Sequence, residues 1–158
     1  MLRYAEFKIV FREVPDEISL AYSISGCGRH CPGCHSPWLQ DETSGRLLTV
    51  DVLNRHIDDN PGISCVALLG GVWSEQMREL VDCAKQRGLK TCWYTGEDDS
   101  IIEKVTAIRP LNLDYIKTGA YIERLGGLES RTTNQRFYRL ICEGENIKKE
   151  DLTYRFRF

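Results

Sequence analysis

Ile18, Leu20, Tyr22 and Ile24 recur at every second position, with Ser19, Ala21, Ser23 and Ser25 between them. A period of two sends these sets to opposite faces of a pleated chain, so the stretch predicts a half-buried strand ending at Gly26. Residues 8–14 form a second β-rich run, and Pro15-Asp16 supplies turn chemistry between the two, which predicts a hairpin. Thr49 is placed to cap a short helix carrying Val50, Leu53 and Ile57 on one face, and Asn60-Pro61-Gly62 stops it. Residues 63–69 are a compact apolar run suited to a buried parallel strand that ends at Gly70-Gly71. Met77, Leu80, Val81 and Ala84 mark the following helix, closed by Gly88, and residues 90–94 form the next strand. Ser100 with Glu103 makes a capping-box pattern ahead of Ile101, Val105 and Ile108. Pro110 ends that helix before a strand at 113–117, and the last forty residues are less regular.

Repeated strand and helix units predict an α/β fold with a predominantly parallel sheet, because a crossover helix is the usual return path to a parallel neighbour. The units are too few for a closed eight-fold barrel, which takes ~250 residues, so the expectation is a partial, open-sided (βα) barrel forming a single domain over residues 1–158. Functional loops of such folds gather at the carboxyl ends of strands. The segment after Gly26, the Gly70-Gly71 pair and Thr95-Gly96 all fall at predicted strand ends, so they are expected to share one mouth.

Composition narrows the function classes. With 158 residues and 42% hydrophobic content, the chain has material for one sizeable core. A formal charge of −2, with dispersed Lys and Arg, offers no basic field for nucleic acid. The first eleven residues are broken by Arg3, Glu6 and Lys8 and lack the order of a signal peptide, and no apolar run reaches membrane-spanning length. The expectation is therefore a cytosolic protein with no membrane partner. Seven cysteines are too many and too odd for a complete disulfide framework, and a reducing compartment with a metal site explains them better.

Cys27, Cys31 and Cys34 have three and then two residues between them, and His35 follows directly. Iron–sulfur clusters are normally held by four cysteines, so three thiolates leave one iron of a 4Fe-4S cluster without a protein ligand. An open position is what distinguishes catalytic from structural sites in zinc proteins. Its natural occupant here is S-adenosylmethionine, which chelates through its amino and carboxylate groups. The alternative is structural zinc, with His30 or His35 as fourth ligand. Cys65, Cys83, Cys92 and Cys142 lie in or beside apolar runs and are read as small core residues, with no close-spaced motif for a second cluster. Trp38, Trp73 and Trp93 are core or pocket-lining by default, and His56 is expected to face solvent. The chain shows no nucleophile with its base and orienter, no P-loop and no complete dinucleotide fingerprint, so no catalytic side chain is nominated.

Cys27-Gly28-Arg29-His30-Cys31-Pro32-Gly33-Cys34 resembles the cysteine signature of radical S-adenosylmethionine enzymes. Gly33-Cys34-His35-Ser36-Pro37 resembles the stretch after the cluster in anaerobic ribonucleoside-triphosphate reductase-activating proteins. Trp93-Tyr94-Thr95-Gly96 resembles that family's aromatic-aromatic-Thr-Gly strand end, and Arg131-Thr132-Thr133-Asn134-Gln135-Arg136 is similar to its late Asn-Gln segment.

The resemblance implies an activase that installs a glycyl radical on the large subunit of a class III ribonucleotide reductase. Its cofactors are a 4Fe-4S cluster on Cys27, Cys31 and Cys34 and S-adenosylmethionine, and its electrons come from a one-electron donor such as flavodoxin or ferredoxin. Gly70-Gly71 matches the pair on which such enzymes rest the methionine amino group, since a missing side chain lets backbone approach a ligand; an ordinary strand-ending turn accounts for the pair as well. The acidic residue common after this pair is replaced by Val72, followed by Trp73, and Glu75 is the candidate substitute. Gly33 stands where many relatives carry an aromatic that contacts adenine, which leaves His35 or Tyr94 for that contact. Thr95 is a candidate cofactor hydrogen-bonder, with capping or packing as its alternative. The partner is expected to cover the open mouth, with residues 119–139 as one wall bearing Arg124 and Arg131. Competing readings are a different small radical enzyme, such as a deazaguanine-forming synthase or an activase for another glycyl-radical partner, and a non-enzymatic metal-binding or scaffold module.

Overall fold

The alternating run forms β2 (Ser19–Ile24) and the residues before it form β1 (Arg3–Val10), in a computed structural model that describes residues 1–26, 45–107 and 111–157. The two pair antiparallel as the expected hairpin, with Asp16 at the turn in a left-handed conformation (φ 67°) that aspartate tolerates. A two-residue strand, β3 (Arg46–Leu47), adds to the outer edge of β1. Three strand–helix alternations follow: α1 (Val50–Asp59), β4 (Cys65–Leu69), α2 (Glu75–Gln86), β5 (Lys90–Tyr94), α3 (Ile101–Thr106) and β6 (Tyr115–Thr118). The chain then turns back through β7 (Arg136–Glu143) and β8 (Asn146–Asp151), and a single 3-10 turn spans Thr153–Phe156.

All eight strands join one sheet in the order β3-β1-β2-β4-β5-β6-β7-β8. The four central strands β2, β4, β5 and β6 are parallel neighbours, and the flanking pairs are antiparallel. The sheet is thus mixed, where strand–helix repetition predicted a predominantly parallel one. The reason is local: parallel return needs a crossover helix, and the chain supplies helices only between β3 and β6 among the described residues, while both ends close by antiparallel pairing.

The order of the parallel strands never reverses, and all three helices bury their apolar residues on the same face. Leu53 and Ile57 of α1, Met77, Leu80, Val81 and Ala84 of α2, and Val105 of α3 pack with Leu20, Tyr22, Ile24, Val66, Leu68, Trp93 and Ile116 from the sheet. The other face carries small side chains at its centre, Ala21, Cys65, Ala67 and Cys92, with Tyr115 and Phe137 beside them on β6 and β7, and is covered by Val14, Leu128 and Phe156. That cover corrects the half-buried expectation for β2, in which Ser19 and Ala21 are as fully enclosed as Leu20 and Tyr22.

Side chains cap two of the three helix starts, at Thr49 as expected and at Ser74, which was not singled out in the sequence. Thr49 Oγ1 accepts from Val52 N at 3.2 Å and Ser74 Oγ from Met77 N at 3.3 Å, the ordinary N-cap bond. Ser100 does not cap α3, because its own backbone is already helical (φ −62°, ψ −23°); Asp98 accepts instead, from Ser100 N at 2.9 Å and Ser100 Oγ at 2.5 Å. No helix among the described residues is long and apolar enough to cross a membrane.

His56 is half-buried, against the expectation that it faces solvent. Its ring stacks on Phe7 at 4.0 Å, and Nδ1 lies 2.8 Å from the Tyr22 hydroxyl. Burial lowers its pKa, Arg55 lowers it further, and Asp59 opposes them. The unfolded chain therefore holds more protons below the ordinary value of 6.5, and stability contributed by neutral His56 is present above that value and lost as pH falls through it. Anaerobic urea titrations at about pH 7.5 and about pH 5.5 are expected to show a smaller acid-side loss for His56→Gln than for wild type, and equal losses would remove His56 as the source.

Candidate functional site

Parallel pairing in step brings four strand ends to one rim. Ser23 is level with Leu69, Leu69 with Tyr94, and Tyr94 with Lys117. The ladder runs one step past the strands, since Gly70 N donates to Tyr94 O at 2.9 Å and Thr95 N to Lys117 O at 2.9 Å. Gly70 and Gly71 both have left-handed backbones, with φ of 96° and 80°. They lie against the end of β2: a Cβ on Gly71 would stand 2.7 Å from Ile24 Cγ2, and one on Gly70 would stand 3.4 Å from Ile24 O. Two residues later comes Gly26, the residue before Cys27. The glycine pair is therefore required by packing and backbone conformation whether or not a ligand rests on it.

Behind the pair sits an aromatic cavity of about 150 Å³, lined by Gly71, Trp73, Trp93, Thr95, Glu97 and Lys104. Trp93 is 1% exposed, its ring lies 5.1 Å from that of Trp73, and its indole N–H donates to Gly70 O at 2.9 Å. Tyr94 points to the opposite, helix-free face. Its ring meets Phe137 edge-on at 6.0 Å, its hydroxyl donates to Glu13 O, and burial pushes its phenol pKa well up. Thr95 is buried and its Oγ1 accepts from Glu97 N at 3.1 Å, a local turn bond. Val72 is 64% exposed, and Glu75 opens α2 on its exposed side.

Lys117 at the end of β6 was not singled out in the sequence. It is 9% exposed, and its ammonium donates to Thr95 O at 3.1 Å and Gly119 O at 2.8 Å, bonds that offset the cost of burying a cation. The available signal was its position: it shares the strand face of Tyr115, where an apolar residue is expected. Residues 131–136 tie down the loop after β6. Thr133 Oγ1 donates to Gly126 O, Asn134 Nδ2 to Ala120 O and Gln135 Nε2 to Gly119 O, at 3.2, 3.0 and 3.3 Å. Between this segment and the β5–α3 loop opens a cleft of about 700 Å³ lined by Asp98, Asp99, Thr118, Gly119, Asn134 and Arg136. Asp99 is a cross-tie in its wall, accepting from Thr118 Oγ1 and Tyr138 OH at 2.6 Å each. Burial alone would raise its pKa, but these hydroxyls and Lys149 outweigh it and hold the carboxyl below its usual value. Arg124 and Arg131 are exposed.

Cys27, Cys31, Cys34 and His35, with His30 and Trp38, lie outside the described residues. The other four cysteines are scattered. Cys65 and Cys92 are core residues, and burial pushes the Cys65 thiol up to about 12, far from the thiolate a metal needs. Cys83 is half-buried with its Sγ 3.4 Å from Asn54 Oδ1, and Cys142 is exposed on β7, so neither is the core residue its apolar neighbours suggested. Among the described residues no group of three or more His, Cys, Asp or Glu can hold a metal ion.

A family model described as the 4Fe-4S single cluster domain matches residues 18–123. The chain belongs to the 4Fe-4S single cluster domain family. That family is found among radical S-adenosylmethionine proteins, and its cluster makes this an iron–sulfur chain. No curated protein and no solved structure matches it. The residues present fit a 4Fe-4S group by donor chemistry: the matched span contains the close-spaced cysteine trio, whereas its other cysteines, Cys65, Cys83 and Cys92, sit on separate elements.

The packing of the glycine pair is directly testable. Gly71→Ala adds a Cβ into Ile24 at a left-handed φ and is expected to destabilise the protein by about 1–3 kcal/mol. Gly62→Ala, where a Cβ meets nothing within 4 Å, is expected to stay within about 0.5 kcal/mol of wild type in the same urea titration. Equal stability of the two variants would contradict the close approach of Gly71 to β2.

Proposed function

We propose that this chain is an activase that uses a 4Fe-4S cluster and S-adenosylmethionine to install a glycyl radical on the large subunit of an anaerobic, class III ribonucleotide reductase. The observation that carries the reading is contiguity at one rim. β2 leads into the cysteine segment, its last residues touch the Gly70-Gly71 pair, and that pair is hydrogen-bonded to the Trp93-Tyr94-Thr95-Gly96 end of β5. The fourth resembling segment, 131–136, is bonded to the loop that follows β6. Segments far apart in the sequence thus meet where strand-end chemistry in α/β folds is concentrated.

On this reading Cys27, Cys31 and Cys34 ligate three irons and leave the fourth to S-adenosylmethionine. When bound, the pair would supply one-electron reductive cleavage that releases methionine and takes hydrogen from a partner glycine, while the chain would supply ligation, orientation and exclusion of water. Gly70 and Gly71 offer backbone to the methionine end, Lys117 and Thr95 complete the rim, and His35 remains the candidate for the adenine. Tyr94 is engaged with Glu13 and Phe137, which favours His35 over it. The unreversed strand order and one-sided helices support a partial, open-sided barrel in a single domain, with the small-residue face innermost. The reductase closes the open mouth, and a flavodoxin or ferredoxin delivers the electron.

Anaerobically reconstituted protein is expected to hold about four irons per chain and, once reduced, to cleave S-adenosylmethionine to 5′-deoxyadenosine. Incubation with a class III reductase large subunit is expected to give a glycyl-radical EPR signal. Stable zinc at the cysteines without cleavage would leave a binding module, and a small-molecule product formed without any partner would leave a different radical enzyme.

A further inference from the structure

We propose that Trp93 is a positioning residue for S-adenosylmethionine: its indole N–H, by holding the Gly70 carbonyl, sets the orientation in which the Gly70–Gly71 peptide meets the methionine end of the cofactor. The inference rests on the proposed function and adds a role that the resemblance does not supply. Two bonds from β5 grip this one turn. Gly70 N is fixed by Tyr94 O and Gly70 O by Trp93 Nε1, both at 2.9 Å. The Gly70 carbonyl and the Gly71 N–H belong to one planar trans peptide and point in opposite directions, so fixing the carbonyl toward Trp93 turns the Gly71 amide away from it. A glycine pair with φ of 96° and 80° has wide backbone freedom of its own, and without an external restraint that peptide can rotate.

The restraint is itself well anchored. Trp93 is fully enclosed among residues from α2 and α3, and Trp73 packs on its ring across the cavity beside Gly71. Its ring body therefore stays in place when only the donor is removed. Without this bond the peptide populates other orientations, and a competent fraction reduced to about one tenth appears as a roughly tenfold weaker grip on the cofactor.

The test is calorimetric titration of S-adenosylmethionine into anaerobically reconstituted wild type and Trp93→Phe, with iron content and urea midpoint measured alongside. Trp93→Phe is expected to bind about tenfold more weakly. EPR of the reduced cluster at saturating S-adenosylmethionine is expected to match wild type, which a collapsed site would not allow. Because Phe also vacates part of the buried indole's volume, the benzothienyl isostere, with sulfur in place of N–H, preserves the shape and decides the point by the same titration: binding about tenfold weaker supports the donor role, and wild-type affinity overturns it. Unchanged affinity in a folded, cluster-bearing variant overturns the role of Trp93 alone. Wild type that carries its cluster yet does not bind S-adenosylmethionine overturns the cofactor reading and this inference with it.

Discussion

Register between parallel neighbours governs this molecule. β2, β4, β5 and β6 are paired so that Ser23, Leu69, Tyr94 and Lys117 stand in one row, and every group on the rim is the next residue along one of those strands. A one-residue slip of β4 would exchange its faces, send Val66 and Leu68 to the small-residue floor, and carry Gly70-Gly71 off the end of β2. The pattern forbids it. The helix-facing residues of these strands are large, Tyr22, Leu68, Trp93 and Ile116, and the opposite row is small on three of them, Ala21, Ala67 and Cys92, with Tyr115 on β6, so exchanging the faces of β4 would leave voids on one side and overlap on the other.

The two ends of the parallel strands are fastened differently. At the amino ends the ties are ionic and between side chains: Lys85 bridges to Asp114, whose Oδ2 also accepts from Thr91 N at 2.9 Å, and Glu17 accepts from Ser64 Oγ at 2.6 Å. At the carboxyl ends several ties use backbone carbonyls, with Trp93 on Gly70, Lys117 on Thr95 and Gly119, and Gln135 on Gly119 again, beside the side-chain ties of Asp99 to Thr118 and Tyr138. Carbonyl-directed donors hold loop backbone without adding bulk above it.

Elements with a sustained period were legible in the sequence. The hairpin, the Thr49 cap, the four buried positions of α2 and the β4 and β5 strands all follow from spacing alone. β7 and β8 were not, because an edge hairpin carries exposed Arg139, Lys148, Lys149 and Glu150, and burial of the adjacent Phe137 and Tyr138 interrupts the alternation. Lateral facts were also hidden: Ser19 and Ala21 look polar or small and give no sign of the Val14 and Phe156 cover, and His56 gives none of Phe7 stacking on it. At the site, the glycine pair and Thr95-Gly96 could be marked from the sequence, but the indole bond linking them joins residues 23 apart, and no local pattern encodes it.

Replacement of the usual acidic residue by Val72 changes what the rim can do. Val72 is exposed and apolar, and Glu75 stands in the first turn of α2, where a carboxylate is favoured by the helix N-terminus without any ligand. The charge that the rim does bury is positive, on Lys117. A ligand's ammonium therefore has no carboxylate supplied by residue 72, and on the proposed reading it is left to Glu97, which lines the cavity beside Gly71, and to carbonyls other than Gly70 O, while the Gly71 N–H turned from Trp93 suits a ligand's carboxylate. Carbonyl recognition depends on direction far more than ion pairing does, because a neutral acceptor weakens steeply as its alignment is lost. Peptide groups on the rim serve a ligand only when held in one orientation, and for the Gly70–Gly71 peptide the double grip of β5 on Gly70 provides it.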